Sequence, residues 1–207
     1  MNRTLIAAAV VWVVSLPAHL DAAVFQRDWK TPGDGLLTYD DVNQREWLDL
    51  SASRLDQFSD PRLENAISQI APGGKFEGFI WAQRTDVVGL LQSAGIAIST
   101  SDYPINGAAI ENLINLLGST VQSASTMRSV ALINEVDASS GFQLGVDVFV
   151  VYQGPRAGVF VPSLDDFVGR PTNGLMLYRT VPEPSSIVAS VLPLIYLLSG
   201  RFSCRRK

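Results

Sequence analysis

The chain carries one cysteine and one histidine in 207 residues, Cys204 and His19, and both lie close to its ends. The long middle stretch therefore cannot build a disulfide framework, a Ser-His-Asp triad, a cysteine nucleophile, a thiolate cluster or a His-liganded zinc site. Lysine is scarce as well. Between residues 24 and 180 only Lys30 and Lys75 could serve a Ser-Lys or Schiff-base mechanism, and no motif surrounds either one. Gly33-Asp34-Gly35 and Gly73-Gly74 fit neither the dinucleotide-binding nor the P-loop fingerprint, so both read as turns, and no residue pattern calls for a cofactor.

Positive charge is short in that same stretch. Residues 24–180 carry eleven Lys and Arg against eighteen Asp and Glu, a net of -7, whereas Arg201, Arg205, Arg206 and Lys207 crowd the last seven positions. An acidic surface repels phosphate backbones, so nucleic acid is not an expected partner.

Carboxylates are the chemistry that remains: Asp34, Asp40, Asp41, Glu46, Asp49, Asp165 and Asp166. A glycan hydrolase needs two of them across one cleft. A calcium site needs several converging oxygens, and the EF-hand loop pattern is not present. Turn and helix-cap roles are the ordinary use of such residues. Calcium at Asp40 and Asp41, or at Asp165 and Asp166, stays an open hypothesis. Trp47 and Trp81, beside Leu48 and Phe79, read as core, and Trp29 in the polar arm 26–32 is the better candidate for an exposed contact.

What the chain does have is two apolar ends. Arg3 gives a basic start, residues 5–16 form an apolar run broken by Pro17, and small residues follow at Ala18, Ala22 and Ala23. That order is a secretory signal peptide over residues 1–23, with cleavage expected after Ala22 or Ala23. An uncleaved N-terminal anchor is the alternative. The other end, residues 181–207, reads Val181-Pro182-Glu183-Pro184-Ser185-Ser186, then an apolar span over residues 187–200 that includes Ile187, Leu192 and Leu197, then the basic tail 201–207. The prolines keep residues 181–186 extended. The span is short for a bilayer and relies on local thinning or snorkelling. The terminal Arg201, Arg205, Arg206 and Lys207 then stay in the cytoplasm as a basic stop.

This three-part tail resembles the PEP-CTERM sorting signal of bacterial exported proteins. The resemblance implies that Pro182-Glu183-Pro184 is the motif read by an exosortase, a membrane transpeptidase that cuts near it, and that the protein ends on the cell surface or in the extracellular matrix, with extracellular polysaccharide as a further partner. A plain tail anchor with a proline linker is the alternative, and both place the middle domain outside the cytoplasm.

Residues 24–180 make one ordinary domain by size. Apolar stretches 36–39 and 46–50, separated by Asp40-Asp41-Val42-Asn43-Gln44, predict a β-hairpin. Ser59-Asp60-Pro61 supplies a cap and first-turn proline for a helix with Leu63, Ala66, Ile67 and Ile70 inward, ended by Pro72-Gly73-Gly74. Residues 76–81 read as a strand. Thr85 and Asp86 open a second helix using Val87, Val88, Leu90, Leu91 and Ala94. A third, over 106–123, repeats Ile110, Leu113, Ile114, Leu117 and Val121 at helical spacing. Stretches 129–136, 143–152, 158–161 and 175–180 then read as strands. The expected fold is α+β, an antiparallel sheet with about three helices, the last strand returning beside the first. GDGLLTYD, EWLDL, GGKFEGFIWAQRTDVVGLL and GLMLYR also resemble a region found in many PEP-CTERM proteins. They are loosely similar to C-type-lectin-like exported domains, whose usual cysteines this chain lacks.

The reading is an exported, non-enzymatic surface or matrix protein. A carbohydrate- or calcium-binding lectin-like module and a carboxylate-dependent glycan hydrolase are the alternatives.

Overall fold

The computed structural model describes residues 24–60, 62–98, 103–152, 156–160 and 172–182. Over these residues the chain is α+β, with two five-stranded sheets and four α-helices.

The first sheet has the strand order β1 (Val24–Arg27), β2 (Leu37–Asp40), β3 (Arg45–Leu48), β10 (Leu177–Thr180), β4 (Ile80–Trp81), all antiparallel. The expected hairpin is present: Leu37 pairs Leu48 and Asp40 pairs Arg45. Its turn is built by the buried Asp40 carboxylate, which accepts the Val42 and Asn43 amides at 3.2 and 3.0 Å and the Asn43 side-chain amide at 2.7 Å. The last strand does return to this hairpin, but beside its second strand, β3. The free side of β2 is already taken by β1, where Phe25 meets Tyr39 edge-on at 5.1 Å and the Arg27 guanidinium lies 3.5 Å over the Tyr39 ring.

The second sheet runs β5 (Val121–Gln122), β6 (Thr126–Val136), β7 (Gln143–Val151), β8 (Arg156–Phe160), with β9 (Gly174–Leu175) on β6. The β6–β9 contact is parallel, so the expectation of one antiparallel sheet becomes two sheets with a short parallel joint. That joint is Met176, 2 % exposed. Its N–H donates to Leu132 O of β6 at 3.0 Å, and its carbonyl accepts from Ala82 N–H at 2.8 Å, so one stretch of chain serves both sheets.

Four helices replace the expected three. α1 (Leu50–Ser53) lies where a strand end was expected, because Asp49 stops β3 and caps the new turn by accepting Ser51 N–H at 2.7 Å. α2 (Leu63–Ser68) starts after the anticipated cap, since the Asp60 carboxylate is held by the Arg62 guanidinium at 2.8 Å and Arg62 becomes the helix boundary. α3 (Arg84–Ser93) begins as expected, with the Asp86 carboxylate accepting Gln83 N–H at 2.9 Å. The stretch before it is a strand only at Ile80–Trp81, since turns at Lys75 to Gly78 aim Phe76 and Phe79 into the core. α4 (Tyr103–Leu117) is shorter than the expected 106–123. Gly118 at φ +81° breaks the helix, and Val121 becomes a 40 % exposed strand residue. The carbonyl of Leu116, in its last turn, is satisfied from the first sheet by Thr38 Oγ1 at 2.8 Å, and that of Gly118, just past its end, from the second by Ser129 Oγ at 2.7 Å.

Ile110, Leu113, Ile114 and Leu117 of α4 are fully buried against Val146, Val148 and Val150 of β7 and Ala157 of β8. Burial of each such side chain stabilises by about 2 kcal/mol. A second apolar cluster joins Leu37, Leu48 and Leu177 to Leu55, Ala66, Phe76 and Phe79.

Candidate functional site

The described residues end just after a central strand. β10 is a central strand, with Leu177 fully buried and Tyr178 8 % exposed. Thr180 pairs Arg45, and the next amide, Val181 N–H, donates to Gln44 O at 2.9 Å. Pro182, which has no N–H to give, follows and is exposed. Val24, the first described residue, lies at the same end of the sheet, because it pairs Asp40, the residue across the turn from Arg45. Both junctions therefore flank the turn at residues 41–44.

Salt bridges fix this edge. Glu46, 8 % exposed, binds Arg27 at 3.2 Å and Arg179 at 2.7 Å, linking β1, β3 and β10. Arg45 pairs Asp86 of α3 at 3.0 Å and lies 4.4 Å over the Tyr178 ring. Burial raises the Tyr178 hydroxyl above its ordinary value, with the neighbouring Asp86 charge adding to the effect. Asn43 reaches from the turn to Ser93 Oγ on α3 at 2.9 Å. The long-range partners Arg27 and Arg179 were not recognisable in the sequence, because nothing local links positions 19 and 133 residues apart.

Of the expected sorting residues, the structure describes Pro182. Glu183, Pro184, Ile187, Leu192, Leu197, Arg201, Arg205, Arg206 and Lys207 lie outside the described residues, as do the expected signal peptide and Asp165 and Asp166. No helix among the described residues is long and apolar enough to cross a membrane.

Of the candidate carboxylates, Asp34, Asp40, Glu46 and Asp49 serve the fold. Asp34 accepts the Trp29, Lys30, Thr31 and Leu36 amides at 2.8 to 3.2 Å, and these bonds, that of Thr31 foremost, hold its pKa far below the usual carboxylate range. Asp49 caps α1, and burial raises its pKa. Among the described residues no group of three His, Cys, Asp or Glu side chains could hold a metal ion. Lys30 stands 4.0 Å over the Trp29 ring, and Lys75 stands 5.1 Å over Phe76. Burial, and then the Lys30 charge, lower the Lys75 pKa. Trp29 is half-buried against Phe79 and Phe76 at 5.7 and 6.1 Å, more a core edge than the free contact expected of it. Trp47 is fully buried, its Nε1 without a hydrogen-bond partner among the described residues. Trp81 is half-buried and donates from Nε1 to Leu132 O at 3.0 Å.

The chain matches no protein-family model, no curated protein and no solved structure.

Proposed function

We propose that this is an exported protein whose Pro182-Glu183-Pro184 segment is a sorting motif, processed at the membrane by an exosortase, and whose folded domain then resides on the cell surface or in the extracellular matrix. The observation that carries the reading is the position of the motif. It begins at the first exposed residue after the last described strand, directly after the Val181 N–H bond to Gln44 O. A transpeptidase needs an accessible substrate, and the segment opens on an exposed proline directly after the sheet. The N-terminal reading is compatible with the same geometry, since cleavage after Ala22 or Ala23 leaves every residue of β1 in place. No catalytic step enters the proposal. Asp34, Asp40, Glu46 and Asp49 are each engaged in turns, caps or salt bridges.

Intact mass of the protein from its own host tests this, with and without the exosortase and with Pro182, Glu183 and Pro184 replaced together by alanine. The expected product has lost the tail yet retains Val181, and only when enzyme and motif are both present. A full-length tail in every strain refutes the exosortase step and leaves a permanently anchored protein.

A further inference from the structure

Tether length and strand register together orient the domain. From Pro182 to the start of the apolar span at Ile187 lie residues 182–186, which reach at most roughly 18 Å when fully extended. A domain of roughly 157 residues has a radius of gyration of about 15 Å and is about 40 Å across. A tether shorter than half that width does not let the body turn over. The attachment point is also fixed: it is the end of the first sheet where Thr180 pairs Arg45, Val24 pairs Asp40 and the turn 41–44 projects.

We propose that this end of the first sheet, the turn 41–44 with the neighbouring face of α3, is the membrane-apposed surface of the unprocessed protein and rests on the lipid bilayer from which the tail emerges. The inference rests on the sorting reading. The surface suits the role. Val42, 56 % exposed, and the exposed Asn43 and Gln92 carry no charge, and they border a shallow cavity of about 170 Å³ shared with Gly89 and Ser93. The buried Asp40 beneath them spends its oxygens on the turn. The domain as a whole is net -7, and this end shows one half-buried carboxylate, Asp41, beside the neutral Val42, Asn43 and Gln92, so it meets lipid headgroups at less electrostatic cost than a face of average charge. The opposite end, the loop at residues 28–36 beyond Arg27 and Leu37, then faces outward and carries Trp29, Lys30 and Thr31 away from the membrane.

The test uses the chain from Val24 to Lys207, as left by signal-peptide removal, in phosphatidylcholine vesicles doped with a headgroup-nitroxide lipid. In a Cys204→Ser background, a bimane label is placed at Val42→Cys or at Thr31→Cys, both exposed positions. Loss of emission at position 42 and none at position 31 is the expected result. A flexible Gly-Ser spacer of about 30 residues inserted after Val181, with an r.m.s. reach of roughly 30 Å, should remove the difference. Equal quenching at the two positions in chains that float with the vesicles overturns the orientation while leaving the tail reading intact. An asymmetry that survives the spacer overturns the tether argument. A chain that does not float with the vesicles refutes the membrane-span reading, and the proposed surface falls with it.

Discussion

Gly118→Ala is the substitution on which the helix-termination argument can be judged. Gly118 sits at φ +81° directly after α4, and an added Cβ would fall inside the van der Waals envelope of the Asp49 carboxylate. Two costs follow. Holding alanine in the left-handed region costs about 1 kcal/mol. Displacing Asp49, which is 8 % exposed and caps α1 through Ser51 N–H, removes a cap worth about 1 kcal/mol and disturbs a tightly packed site, for a total of roughly 2 to 3 kcal/mol. With a urea dependence of about 2 kcal/mol per molar, the unfolding midpoint should fall by roughly 1 to 1.5 M, read by tryptophan fluorescence. In an Asp49→Ala background the clash partner is gone. There Gly118→Ala should cost only the backbone share, about 1 kcal/mol. A midpoint shift under about 0.3 M in the parent protein, or equal shifts in both backgrounds, would refute the reasoning.

Two further perturbations probe buried polar groups. Ser53 is fully buried, and its hydroxyl bridges α1 to β9, donating to Leu175 O at 2.9 Å and accepting Leu175 N–H at 3.1 Å. Ser53→Ala leaves both backbone groups unpaired and should cost about 2 to 4 kcal/mol, a fall in Tm of roughly 5 to 12 °C; an unchanged melting curve would contradict it. Asp49→Asn tests the charge. Burial raises the folded pKa of Asp49 above its ordinary 3.8, so its protonated form is the one the fold prefers. The penalty for ionising it is absent below the unfolded pKa and develops as pH rises through the folded one. Asn keeps the cap acceptor without the charge, so the stability of Asp49→Asn relative to the parent should improve from about pH 3 to about pH 7. A pH-independent difference would show that the burial is not felt.

How much of this was legible in the sequence depended on how local the deciding interaction is. The hairpin at residues 37–48 was legible because its apolar runs and its Asp-rich turn are adjacent, and Asp40 builds the turn from within it. The face of α4 was legible from spacing alone, but its end was not. Val121 continues the periodicity past Gly118, and only the observed positive φ shows that the periodicity there is accidental. β1 was hidden because its residues look like a polar arm. What holds it is cross-strand, Phe25 on Tyr39 and Arg27 on Tyr39 and Glu46. Residues 175–180 read correctly as extended, yet nothing in that run shows that Met176 divides it between two sheets, since the partners that decide this, Leu132 and Ala82, lie far away in sequence. The same limit applies to the site. The motif expected at Pro182-Glu183-Pro184 is a local pattern of the sequence, whereas the clasp of Glu46 on Arg179 that fixes the strand before it is not local.

That clasp explains why the exit point matters. A tail hung on an edge strand could be drawn out one residue at a time, and its attachment would drift. Here the tail hangs on β10, between β3 and β4, with Leu177 fully buried in the second apolar cluster, Tyr178 packed 5.1 Å from Trp47, and Arg179 tied to Glu46. Detaching β10 would expose Leu177 and Tyr178, at about 2 kcal/mol each, and would carry Leu175 and Met176 with it, at a similar cost each. The sum approaches the 5 to 15 kcal/mol that separates a typical domain from its unfolded state. Peeling the strand is therefore nearly the same event as unfolding the domain. The strand thus stays in the sheet up to Val181 for as long as the domain is folded, and under the proposed sorting function an exosortase would meet the chain from Pro182 onward.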